Sequence, residues 1–221
     1  MSDEMAVLLI ILVIVLYWVY TKSKSSSGGY TSDQTLTPGT YRIGEDLSGG
    51  KGDMVAISGG GTITVKEKGG DDSVKTFKLH ASNPSIPSRY RNLTLSSQDI
   101  LEITGNMKVL ITPAKSISDV EGAELTMGTY KFGSDVPPAK YNLKALSGDG
   151  KVTVREAGAK DPAFSQEMNT AGEDKASSYE NILCSDGAVM TIGGTLKLQL
   201  TPSKKQRGRI NKILDFLNQE P

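Results

Sequence analysis

The chain has 221 residues, with 25 basic and 25 acidic side chains, 24 glycines, one histidine and one cysteine. Balanced charge argues against a general nucleic-acid binder, which carries a basic excess. The lone Cys184 excludes an internal disulfide, and the lone His80 leaves too few Cys/His ligands for a structural zinc site.

In chain order, the first feature is Ala6 to Tyr20, AVLLIILVIVLYWVY, a run without a charge or a proline. With Met5 and Thr21 it reaches roughly 25 Å as a helix, the short end of what spans a hydrocarbon core of about 30 Å. Tyr17, Trp18 and Tyr20 form an aromatic belt at its far end, and Lys22 and Lys24 follow. The opening Met-Ser-Asp-Glu lacks the basic start of a cleaved signal. The pattern predicts a single-pass transmembrane helix over residues 6–21, with the lipid bilayer as its partner. The flanking lysines place the rest of the chain in the cytoplasm; an extracytoplasmic placement is the alternative. Residues 22–35, rich in Ser and Gly, read as a flexible linker.

Residues 36–115 then align with 125–204 at a constant offset of 89, without a gap. Gly39-Thr40-Tyr41 recurs as Gly128-Thr129-Tyr130, Gly44-x-Asp46 as Gly133-x-Asp135, and Tyr90-x-Asn92 as Tyr179-x-Asn181. A period this long predicts two copies of a whole domain, with residues 116–124 as a linker that permits relative motion. Within each copy, apolar residues alternate in short runs such as Val55/Ile57, Ile63/Val65, Leu101/Ile103 and Leu196/Leu198/Leu200. This is the pattern of half-buried strands. Gly59-Gly60-Gly61, Gly105-Asn106, Gly148-Asp149-Gly150 and Gly193-Gly194 are hairpin candidates. Residues 157–178 read as a long polar loop. The expected fold is all-β: two tandem small antiparallel β-sandwich or Greek-key barrel domains of six or seven strands each. Beyond them, Ile210, Ile213, Leu214 and Leu217 predict a short amphipathic helix over 206–219, flanked by Arg207, Arg209 and Lys212. It either packs on a β-domain or meets anionic lipid or a protein groove.

No residue set identifies a reaction, and nothing calls for a cofactor or a metal. Asn169 stands at the counterpart of His80, and Leu95 at that of Cys184, which points to a buried small hydrophobe at the cysteine. The stretch Gly44–Gly52, GEDLSGGKG, misses the phosphate-loop spacing and lacks Ser or Thr after Lys51. The pairs Asp46/Asp135, Asp72/Asp161 and Glu67/Glu156 are duplicate positions, each split between copies. They are therefore not the dyad that glycoside hydrolysis uses. Asp46 reads as a turn residue bonding nearby backbone. Asn92-Leu93-Thr94 fits a glycosylation triplet but falls inside an expected strand. Tyr41, Tyr130, Tyr90 and Tyr179 are shared by both copies; they either anchor strand ends or line a binding surface.

The run Gly128-Thr129-Tyr130-Lys131-Phe132-Gly133-Ser134-Asp135 resembles a β-rich repeat of uncharacterised membrane-anchored or cell-surface proteins of low-GC Gram-positive bacteria. The likeness extends over both copies. It departs from that pattern at Leu47-Ser48-Gly49, where a Pro-x-Gly turn is lost. The resemblance implies domains held outside the membrane, against the charge rule, and says nothing about activity. The expectation is a membrane-tethered, non-enzymatic binding or scaffold protein whose partner is a protein or an envelope polymer. The alternatives are an envelope hydrolase with an unrecognised carboxylate site, or a spacer that presents the C-terminal helix.

Overall fold

The computed structural model describes residues 30, 32–68, 74–171 and 174–203. The expected helices over 6–21 and 206–219, with Arg207, Arg209 and Lys212, lie outside them. The described residues form strands and turns and no helix. No helix among them is long and apolar enough to cross a membrane.

The first half holds β1 (Gln34–Leu36), β2 (Gly39–Arg42), β3 (Gly50–Ser58), β4 (Gly60–Lys66), β5 (Val74–His80), β6 (Arg89–Leu95), β7 (Ile100–Gly105) and β8 (Lys108–Pro113). The second half holds β9 (Ala123–Leu125), β10 (Gly128–Lys131), β11 (Ala139–Ser147), β12 (Asp149–Arg155), β13 (Phe164–Asn169), β14 (Ser178–Cys184), β15 (Val189–Ile192) and β16 (Lys197–Pro202). The two sets repeat one pairing scheme. In the first half the orders are β1-β8-β3-β6 and β2-β7-β4-β5; in the second they are β9-β16-β11-β14 and β10-β15-β12-β13. Met54 and Ala56 on β3, Ile63 and Val65 on β4, Leu101 and Ile103 on β7, and Val109 and Ile111 on β8 turn alternate side chains into one core. A second core gathers Leu143, Val152, Val154, Met190, Ile192, Leu198 and Leu200. The result is sandwich-like, as period-two burial on one face of each sheet requires.

The glycine turns differ from the hairpins expected of them. β3 and β4 belong to different sheets, as do β7 and β8, β11 and β12, and β15 and β16. Each turn is a corner where the chain crosses between layers, and neighbouring corners bond each other. Asn106 N–H donates to Gly60 O at 3.1 Å, and Thr195 N–H to Asp149 O at 2.9 Å. A Cβ on Gly61 would sit 1.9 Å from Thr104 O, and one on Gly150 would sit 1.9 Å from Gly193 O. The corners demand glycine because two backbones meet there, a constraint that a turn motif alone does not distinguish from a hairpin.

Three further boundaries shift. The polar stretch 157–178 contains β13, an edge strand with only Phe164 and Met168 facing the core, too few to signal alternation. β9 starts within the expected linker, and Ile117 and Val120 from that linker pack on the second core. Tyr30, placed by sequence in the flexible linker, is 4% exposed in the first core. It lies over Gly52, where a Cβ would come within 2.9 Å of its ring. The counterpart of Gly52 is Tyr141, fully buried in the second core. Each half thus fills equivalent space with one tyrosine, supplied by the preceding segment in one and by the strand in the other. Burial pushes both hydroxyls up to about 12. Tyr141 donates to Pro137 O at 2.7 Å, whereas the buried Tyr30 hydroxyl has no partner among the described residues. Tyr30→Ala should therefore cost about 3–5 kcal/mol of unfolding free energy. Tyr30→Phe should change it by less than about 1 kcal/mol, because it removes an unsatisfied group. Urea denaturation of the two variants separates the contributions.

Candidate functional site at the junction of the halves

The shared tyrosines and asparagines have local causes. Tyr41 donates its hydroxyl to Thr37 O at 2.7 Å and accepts from Thr37 N–H at 3.2 Å. Tyr130 repeats the clamp on Thr126 at 2.8 and 3.1 Å. Asn92 and Asn181 sit at the bulges of β6 and β14 with φ of 55° and 57°. Asparagine tolerates that left-handed conformation better than most side chains. Their N–H groups are accepted by Asp53 Oδ1 and Asn142 Oδ1, each at 3.0 Å. Asn92 is 2% exposed, so the glycosylation triplet is not reachable in the folded chain.

The carboxylates of the Gly-x-Asp turns are engaged in the same way. Asp46 Oδ2 accepts Arg42 N–H, and Asp135 Oδ2 accepts Lys131 N–H, both at 2.8 Å. Asp99, 3% exposed, accepts Ser96 N–H at 2.7 Å and Lys68 N–H at 3.2 Å. Asp149 pairs with Lys175, and Glu67 with Lys75. Asp72 lies outside the described residues. His80 Nδ1 accepts Ser82 N–H and Asn83 N–H, at 3.2 and 3.0 Å, which leaves that nitrogen no lone pair for a base's work. Cys184 is fully buried, and burial raises its thiol to about 12, far from a reactive thiolate. Among the described residues no three His, Cys, Asp or Glu side chains cluster to hold a metal. A shallow depression of about 290 Å³ lies beside the loop of residues 81–88 between β5 and β6, lined by His80, Asn83, Pro84 and Pro87, with Thr195 from the other half.

The most organised constellation is where the halves meet. β6, the edge of one first-half sheet, pairs in parallel with β10, so that four strands from each half make one eight-stranded sheet. This is the one parallel pair among the described strands. Arg91 N–H donates to Met127 O at 2.9 Å, and Gly128 stands opposite Arg91. A Cβ on Gly128 would fall 2.5 Å from Arg91 O, and its φ of +154° also favours glycine. The Tyr90 ring stacks on Phe77 with centroids 4.3 Å apart, and its hydroxyl lies 3.0 Å from Thr129 Oγ1. Lys51 Nζ from the first half pairs with Asp135 of the second, whose side chain is 8% exposed. Ile117 N–H donates to Asp135 O at 2.6 Å, and Met127 inserts into the first core. Arg91 Nε lies 3.1 Å from Asp53 Oδ2, near enough for charge attraction although its N–H does not aim at the oxygen. Tyr130 is fully buried here; burial raises its hydroxyl above the ordinary range, against the opposing pull of the Thr126 bonds and Arg91.

Of the four tyrosines, Tyr90 and Tyr130 meet at this junction, while Tyr41 and Tyr179 lie on strands at the outer edges of the two four-stranded sheets. The linker expected to allow motion packs on the second half, with Ile117 and Val120 against its core and Ile117 N–H on Asp135 O. Sequence reasoning missed Lys51, Arg91, Met127 and Gly128 as junction residues. The one available signal was the pair Gly39/Gly128 in a strand, where glycine marks close backbone approach. No protein-family model matches the chain, and no curated protein is significantly similar to it.

Proposed function

We propose that this chain is a membrane-tethered, non-enzymatic scaffold or binding protein built from two tandem β-sandwich domains. The observation that carries the reading is the shared eight-stranded sheet. It makes two small domains into one rigid platform, the property a scaffold needs to hold partners at fixed spacing. The local engagement of Asp46, Asp99, Asp135 and His80 supports a binding role over a hydrolytic one. The partner is a protein on the cytoplasmic side, and an envelope polymer belongs to the alternative in which the platform stands outside. The tether is residues 6–21, with the bilayer as its solvent and the platform on the cytoplasmic side by the lysines that follow it. The basic segment with Arg207, Arg209 and Lys212 adds contact with anionic lipid.

Cell fractionation tests the tether. The full chain should sediment with membranes, resist alkaline carbonate and dissolve in detergent, and deletion of residues 6–21 should release it. Protease added to intact cells should spare the platform and added to lysed cells should cut it. Recovery of the full chain in the soluble fraction would sink the reading; cleavage on intact cells would move the platform outside.

A further inference from the structure

Each strand of the junction has a counterpart that no other described strand covers on the same side. β14 corresponds to β6 and pairs only with β11; β2 corresponds to β10 and pairs only with β7. We propose that copies of this chain join head to tail, the β14 edge of one seating on the β2 edge of the next in the register by which β6 meets β10. The join is heterologous, so it builds rows or rings of copies in place of a closed two-fold dimer. It extends the scaffold reading to self-assembly but does not depend on the tether.

The residues needed on the receiving edge are present and uncovered. Gly39 stands for Gly128, Thr40 for Thr129, Tyr41 for Tyr130 and Asp46 for Asp135. Gly128, Tyr130 and Asp135 are buried at the junction, whereas Gly39 and Asp46 are exposed and Tyr41 is half-buried. Gly39 is the sharpest observation. A Cβ there would meet nothing nearer than its own neighbour Tyr41 at 3.8 Å. Gly39 opens β2 as Gly128 opens β10, and a glycine in a strand marks a place where another backbone approaches closely. At Gly128 that backbone is Arg91.

The donating edge matches. Tyr179 stands for Tyr90, and the Glu180 N–H for the Arg91 N–H that bonds Met127 O. The acceptor becomes Pro38 O, a carbonyl that proline still offers. The replacement of Arg91 and Asp53 by Glu180 and Asn142 leaves the join intact, since that ion pair lies within one half.

The test places a photo-crosslinking residue, Tyr179→p-benzoylphenylalanine, in the full chain in living cells. Illumination should give dimers and higher ladders, with the crosslink mapped to residues 37–47 of a second copy. Gly39→Val should lower the yield at least about tenfold, which is about 1.4 kcal/mol of association free energy. Glu180→Pro should do the same by removing the N–H, and it keeps the test independent of any effect of valine on β2. Crosslinks only to lipid or to other proteins would overturn the proposal. So would crosslinks from Tyr179 to Tyr179, or a yield unchanged in both variants.

Discussion

Gly128→Val is expected to part the two halves and cost about 3–5 kcal/mol. The nearest atoms to the new Cβ would be Arg91 O at 2.5 Å and Arg91 N at 2.8 Å. These belong to the backbone of β6, held on its other side by β3, so they cannot swing aside as a side-chain tip would. β10 must retreat. Its retreat breaks the Arg91–Met127 bond, the contact of Tyr90 with Thr129 and the pairing of Lys51 with Asp135 together. Because the two cores are distinct clusters, each half retains its own sheets. Urea denaturation of the parent should therefore give one transition, and of Gly128→Val two, as coupling between the halves is lost. The same change at Gly39 should alter stability by less than about 1 kcal/mol, since valine suits a strand and its Cβ meets only the Tyr41 ring at ordinary contact distance, 3.8 Å. A single unaltered transition in Gly128→Val would show that the junction contributes nothing.

Asp135→Ala should cost about 2–4 kcal/mol, against about 1 kcal/mol for Asp46→Ala. Both aspartates accept a backbone N–H within their own Gly-x-Asp turn at 2.8 Å, so each alanine loses that charge-assisted bond. Only Asp135 also meets Lys51, with side-chain exposures of 8% and 29%. Removing it leaves a partly desolvated ammonium without its counter-charge, which costs more than an exposed pair returns. A double-mutant cycle isolates this contribution. Lys51→Met with Asp135→Ala should show coupling of about 1–3 kcal/mol, and Lys51→Met with Asp46→Ala should show none. Asp135→Asn should fall between, because the amide oxygen still accepts Lys131 N–H. Equal costs at Asp46 and Asp135 would remove the ion pair from any role in holding the halves.

Much of the strand content was legible because burial on one face of a sheet imposes period two on side chains. Ile63/Val65 and Leu101/Ile103 show it openly, and β13 hides it because an edge strand needs few core contacts. The Tyr-x-Asn motif was visible as a repeat, but its cause was not. A bulge with positive φ becomes apparent only once Asp53 and Asn142 are seen accepting the asparagine N–H groups. The glycine corners were read as hairpins because both need the same residue types. Which strand lies beside which is decided by pairing far along the chain.

The sequence by itself determined that one unit was written twice at an offset of 89, that it is all-β, and that its tyrosines, asparagines and aspartates recur in step. These follow from side-chain chemistry, which each copy carries in full. The tertiary structure alone decided that β6 joins β10, that Tyr30 fills the space over Gly52, and that Lys51 reaches Asp135. Edge pairing is made by backbone N–H and C=O groups, which every strand possesses. Gly39 and Gly128, or Asp46 and Asp135, are identical as letters; only the neighbour brought by the fold makes one an exposed edge and the other a buried seam.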